Sequence, residues 1–272
     1  MTQAEKAEQL LALHQPGHPL ILINAWDAAS ARVVVQAGAT AVATSSAAAA
    51  FALGYQDGQR ISREEMLTAV GTIVRAVDVP VTADMEAGYG DLPEDAGETA
   101  RGVVLAGAVG LNLEDTTSFG FLLSIDQFVA KIAAVRSAAT ETGVPLVLNA
   151  RVDVFLSQVG YDDTQVAQAI ERGRAYREAG ADCVFVPGVT DAHVVAALVD
   201  GIGGNVSVLA SHQNTVAELS RAGVARISVG SGPYRAALSE SLKIADEVYS
   251  MGTFAALSDS VISHEQAQRL MS

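Results

Sequence analysis

Eight short apolar runs recur along this 272-residue chain, each followed by small or polar residues and then by a helical pattern. The runs are Leu20–Asn24, Ala41–Thr44, Val81–Asp84, Gly110–Leu113, Leu146–Ala150, Cys183–Val186, Val206–Leu209 and Arg226–Val229. Amphipathic patterns such as Ala28–Gln36, Arg63–Ala76 and Pro93–Leu105 lie between them. Ala-Gly-Ala recurs at 37–39, 106–108 and 179–181, with Ala222-Gly223-Val224 as a fourth copy, where glycine supplies the left-handed end of a helix before the next strand. Strand–helix alternation repeated eight times predicts a parallel (β/α)8 TIM barrel, class α/β, rather than an open sheet. A Rossmann or flavodoxin-like sheet needs only five or six strands, and no GxGxxG follows the first run.

Half of the residues are hydrophobic, which suits one large domain over residues 1–272 with a sizeable core. The chain continues beyond the eighth run as a helical extension from about residue 233, which is more than closing a barrel requires. Apolar positions there, Val248, Met251, Phe254 and Leu257, predict a homo-dimer or homo-tetramer. A net charge of −14 argues against nucleic acid and anionic membrane surfaces, and any site for an anion then needs its own local positive charge. Thr2 and Glu5 form a capping-box pattern on a polar first helix, not a signal peptide. Val33–Gln56 carries no charge but is rich in Ala and broken by Gly38, Thr44, Ser45 and Ser46, which suits packing inside a soluble protein. With Cys183 as the single cysteine, the expected compartment is the cytoplasm.

In a parallel barrel the chemistry lies at the carboxyl ends of the strands. The third run ends in Asp84-Met85-Glu86, and i, i+2 spacing on a strand predicts two carboxylates on one face. Such a pair suits a hard cation such as Mg²⁺; the plainer reading of a lone pair is a solvated acidic turn. Trp26 follows the first run, Ser45 and Ser46 the second, Glu114 and Asp115 the fourth, and Arg151 and Asp153 the fifth. Arg151 opposite the acids is a candidate carboxylate clamp. Lys6, Lys131 and Lys243 all fall in helical stretches, so a Schiff-base mechanism lacks its amine. Cys183 opens its strand at the end away from the mouth and reads as structural. His212 is the one histidine near the mouth, as well suited to packing as to proton transfer. Gly230-Ser231-Gly232 fits a phosphate cradle or a simple tight turn.

The segments Asn24–Ala31, Thr44–Ala47, Gly54–Gly58, Asp84–Gly90, Asn112–Asp115 and Asn149–Asp153 together resemble the isocitrate lyase/phosphoenolpyruvate mutase superfamily. The resemblance runs from about Leu20 to Arg235. It implies a barrel whose last helix is exchanged between subunits, and Mg²⁺ held largely through water near Asp84, Glu86 and Glu114, with Asp57 beside it. It implies catalytic roles for Asp57, Glu114 and Arg151, and a small 2-oxo acid bound by Ser45, Ser46, Ala47 and Arg151. Trp26, Ser207 and His212 complete the expected substrate-binding set. The reaction implied is lyase-type C–C cleavage or decarboxylation of an oxaloacetate-like 2-oxo acid through a metal-stabilised enolate. The alternatives are a P–C bond enzyme of the phosphonopyruvate type and a non-catalytic 2-oxo acid-binding barrel.

Three departures stand out. Glu86 replaces the usual Asp of the motif, and Ser207 stands where relatives usually carry Asn. The loop Thr116–Leu123 carries neither the lyase branch's cysteine-bearing segment nor the mutase branch's own loop.

Overall fold

The computed structural model describes residues 1–157, 162–257 and 262–271. Among these, nine parallel strands form one sheet: β1 Leu20–Leu22, β2 Asn24–Ala25, β3 Val42–Thr44, β4 Val81–Asp84, β5 Gly110–Glu114, β6 Val147–Arg151, β7 Cys183–Val186, β8 Val206–Leu209 and β9 Arg226–Ser228. The first predicted strand is therefore split in two. β1 pairs with β9 and β2 with β3, so a segment interrupted only at Ile23 closes the ring between the first and last strands. The expected (β/α)8 barrel is what forms, with its first strand shared between two neighbours.

The helices are α1 Gln3–Ala12, α2 Ala28–Gln36, α3 Ser46–Ala52, α4 Arg63–Ala76, α5 Pro93–Leu105, α6 Ile125–Thr142, α7 Asp162–Glu178, α8 Ala192–Ile202, α9 Val216–Arg221, α10 Gly232–Met251 and α11 His264–Met271. Local chemistry sets many of their starts. Thr2 with Glu5, Ser62 with Glu65 and Thr215 with Glu218 each form a reciprocal capping box. After α2, α5, α7 and α9, Gly38, Gly107, Gly180 and Gly223 take φ between 85° and 110°, as the Ala-Gly repeats predict.

Strands buried on both faces need no alternation of polar and apolar residues, and β5, β6 and β7 are buried along nearly their whole length. The bore is unusual in being polar where barrels of this kind are commonly filled with branched aliphatic side chains. Arg226 on β9 reaches across it to Asn112 on β5, and Asn149 on β6 donates to the same oxygen at 2.8 Å. At the amino-terminal end of the strands, α1 packs Leu10 against Gly110, where a Cβ would meet the Leu10 side chain at 2.9 Å. Outside the barrel, Ile21 and Ile23 are 42% and 37% exposed. No helix among the described residues is long and apolar enough to cross a membrane.

Candidate active site

Sequence alternation places Asp84 and Glu86 on one strand face, but β4 stops at Asp84. Glu86 has φ 49° and Tyr89 φ 58°, so the chain has already entered a left-handed turn and the period-two rule no longer applies. The turn is held by Lys131 of α6, whose ammonium donates at 2.7 Å to the carbonyls of both Ala87 and Gly90. The two acids still converge, through the turn rather than through the strand. Asp84 Oδ2 accepts from the backbone N–H and the hydroxyl of Ser46 at 3.1 and 2.7 Å. The Asp84 N–H donates to Thr44 Oγ1 at 2.8 Å. Glu86 is 3% exposed; one of its oxygens accepts from the Gln59 N–H, and Oε1 is buried without a partner. Burial, then the charges of Asp84 and Asp57, push its carboxyl up to about 7. Asp57, on the solvent-exposed rim, is raised for the same reasons, burial of its carboxyl first and Asp84 next.

The opposite wall is built around Arg151. Its Nε and Nη2 engage both oxygens of Asp153 at 2.5 and 2.8 Å, and its Nη1 lies 2.8 Å from Glu114. Burial works against the guanidinium charge, but Glu114 and Asp153 more than offset it and hold the proton firmly. Behind this clamp, fully buried Asp115 accepts from the Asp153 N–H at 2.8 Å, from Tyr176 at 2.7 Å and from Arg172 at 2.9 Å. Arg172 also donates to the carbonyl of Leu123, where the loop after β5 rejoins the core.

Between the two walls is a cavity of about 270 Å³ lined by Ser46, Asp57, Glu86, Glu114, Arg151 and Asp153. Its roof is a small hairpin in which Thr116 bridges Leu122, and Thr116, Thr117 and Ser118 also line the cavity. Ser118 is tied to Asp91 at 2.8 Å through its N–H. Phe119 and Phe121 point to solvent, 83% and 72% exposed, and Leu123 belongs to the core.

Not every expected residue reaches this cavity. Trp26 packs edge-on against Tyr234 at 5.3 Å and lines a separate groove beside α3 and α4. Ser45 caps α3 by accepting from the Ala48 N–H, and Ala47 sits in that helix's first turn, partly exposed. Ser207 is buried in the bore with an unpartnered hydroxyl. His212 is exposed on the loop after β8. A larger groove of about 740 Å³, lined in part by Arg32, Arg75 and Arg269, lies between α2, α4 and α11, beside the segment that leads into β4 and away from the carboxyl ends of the strands.

Among the described residues no three His, Cys, Asp or Glu side chains form a ready-made metal cage. The donor set nevertheless fits Mg²⁺, which prefers oxygen and keeps several waters, so one or two carboxylates suffice. The buried, unpartnered Glu86 Oε1 beside Asp84 is an acceptor in need of a partner of that kind. The contacts made by Lys131, by Asp115 with its three donors, and by Gln59 escape a reading of the sequence. Each acts from another element, and nothing in local spacing announces that contact.

A (β/α)8 barrel with acids and one guanidinium gathered at the carboxyl ends of its strands defines a class of barrel enzymes. The family model for phosphoenolpyruvate phosphomutase matches residues 10–249, and the chain belongs to that family, within the isocitrate lyase/phosphoenolpyruvate mutase superfamily. A crystal structure of a candidate phosphonomutase from Burkholderia cenocepacia is 42% identical, with a TM-score of 0.86 over 90% of this chain and 99% of that one. An uncharacterized protein of Mycobacterium tuberculosis is 35% identical over 83% of both chains. The 2,3-dimethylmalate lyase of Eubacterium barkeri is 31% identical over 68% of this chain and 63% of its own.

Proposed function

We propose that this protein is a Mg²⁺-dependent lyase-type enzyme acting on a small 2-oxo carboxylate of the oxaloacetate type, by C–C cleavage or decarboxylation through an enolate. The observation that carries this reading is the single cavity in which uncompensated acids face a neutralised arginine clamp. Asp84 and Glu86 would hold the cation, with Asp57 and Glu114 beside them. When bound, Mg²⁺ supplies positive charge at the 2-oxo group and favours the enolate left by bond cleavage. Ser46, fixed on Asp84, holds that carboxylate in orientation. Arg151 has N–H groups left over after its contacts with Asp153 and Glu114, and these take the substrate carboxylate. The Thr116–Leu122 hairpin covers the cavity and limits access of water.

The experiment is turnover of oxaloacetate by purified protein with Mg²⁺ and with chelator, followed as pyruvate release for decarboxylation or as oxalate and acetate release for C–C cleavage with water as co-reactant. Mg²⁺-dependent release is expected. Tight Mg²⁺-dependent binding with no turnover of any 2-oxo acid would make the protein a binding barrel instead. The family model favours one second reading, P–C bond chemistry on phosphonopyruvate, which the assay repeated with phosphonopyruvate as substrate reads as phosphate or phosphoenolpyruvate formation.

The protein is also proposed to be a homo-oligomer, a dimer or tetramer, built through α10 and α11. Ile21 and Ile23, together with Leu238, Leu242 and Phe254, leave apolar surface uncovered in the single chain. Light scattering at micromolar concentration is expected to give a multiple of 28.1 kDa; a monomer would refute this assembly.

A further inference from the structure

Among the described residues, Arg226 is the one large charged side chain wholly inside the bore, 1% exposed. Its Nη2 donates to Asn112 Oδ1 at 3.0 Å, while Nε and Nη1 are buried with no hydrogen-bond partner. No carboxylate among the described residues forms an ion pair with it. Burial works against the guanidinium charge, and the charge of Asp84, reached through Asn112, partly offsets it. His14 is lowered to about 4 by burial and then by the Arg226 charge, and the Cys183 thiol is pushed up to about 12 by burial, so both are neutral at pH 7. An unpaired charge in a barrel core costs stability, and packing alone is met better by an aliphatic side chain of similar volume. It sits one residue from the site: Asn112, which it holds from one side, points its amide nitrogen at Asp84 Oδ1, 3.5 Å away.

We propose that Arg226 acts on the active site from below, setting a positive field beneath a cavity whose lining acids outnumber its one lining arginine, so that an anionic substrate can enter. The inference rests on the 2-oxo acid reading above but concerns a residue outside the cavity. A fixed cation under the site has opposite effects on the two ligands: it favours the anion and disfavours the metal ion. A side chain that merely props up the barrel would, when lost, weaken both.

The test compares the parent with Arg226→Met, Arg226→Gln and Arg226→Lys. Calorimetry reads Mg²⁺ binding alone, and then binding of micromolar oxalate, a planar dianion resembling the enolate of a 2-oxo acid, with Mg²⁺ in excess. Melting of the ligand-free protein is recorded alongside. The Met and Gln variants are expected to bind oxalate about fivefold more weakly, the order expected for one charge at an intermediate effective dielectric. Their Mg²⁺ affinity should be unchanged or tighter, and the melting temperature of Arg226→Met no lower than the parent's. Arg226→Lys, which keeps the charge, should bind oxalate nearly as the parent does. Parent-like oxalate binding by Arg226→Met and Arg226→Gln overturns the inference. So does joint weakening of both ligands with a lower melting temperature, or failure of both neutral variants to fold while Arg226→Lys folds. A parent that binds no Mg²⁺ overturns the metal reading itself and this inference with it.

Discussion

The two walls of the cavity are made of the same residue types and handle charge in opposite ways. On the Arg151 side, one guanidinium spans Glu114 and Asp153, and Asp115 is satisfied by Tyr176, Arg172 and the Asp153 N–H. That wall is close to neutral and held from behind. On the Asp84 side, Asp57, Asp84 and Glu86 crowd together with hydrogen bonds only from neutral groups, and one buried oxygen of Glu86 has none. Carboxylates without a cation raise one another's proton affinity, as they do for Glu86 and Asp57. The first wall is shaped to hold an anion in one orientation; the second lacks positive charge.

The largest expected effect concerns the roof the two walls share. Thr116, Thr117 and Ser118 line it, and a hydroxyl is too weak an acid to protonate a departing carbon acid near neutral pH. Losing a general acid typically costs about 10²–10⁴ in rate, so cleavage of isocitrate or methylisocitrate should be negligible in an assay for glyoxylate or pyruvate release. Rapid Mg²⁺-dependent cleavage of either would show that another group delivers the proton to this cavity.

Removing a carboxylate from the uncompensated wall comes next. Loss of a residue that merely supports a metal ligand typically weakens binding about 10–100-fold, so Asp84→Ala should lower Mg²⁺ affinity by about a hundredfold or more. Unchanged calorimetric affinity would erase the distinction between the walls.

On the compensated wall the expected loss is smaller. Arg151→Lys keeps the charge but loses the planar fork, and a charge-assisted hydrogen bond is worth about 1.5–3 kcal/mol, or roughly ten- to a hundredfold in 2-oxo acid affinity. Binding equal to the parent's would place the clamp elsewhere.

The smallest effect is a slope with pH. The Glu86 carboxyl rises from 4.5 to about 7 on folding, so across that window the folded protein keeps a proton that the unfolded chain has released. Stability of the metal-free protein therefore falls as pH rises from about 4.5 to about 7. Burial raises Glu114 and Asp115 as well, in the same direction. The melting temperature should drop between about pH 5 and pH 7 without metal, drop less with saturating Mg²⁺, and drop less in Glu86→Gln. A flat profile without metal would mean that the acidic wall is already compensated.

Strand and helix order was legible along the chain because apolar runs, capping boxes and Ala-Gly helix ends are local signals, each acting within a few residues. The barrel followed from their number, and the wealth of polar residues at the strand ends followed from where each run stops. Spacing could not tell that β4 ends at Asp84 and that Glu86 swings into place through a left-handed turn, because Lys131, forty-one residues or more further on, holds that turn. Nor could it tell that Trp26 and His212 lie outside the cavity while Asp153 lies within it, since side-chain direction at a strand end is set by the neighbours that pack against it. Arg226 makes the same point most plainly. In the sequence it is one arginine at the start of an apolar run. Only the closed ring, which brings β9 opposite β5, turns it into a buried charge one residue away from Asp84.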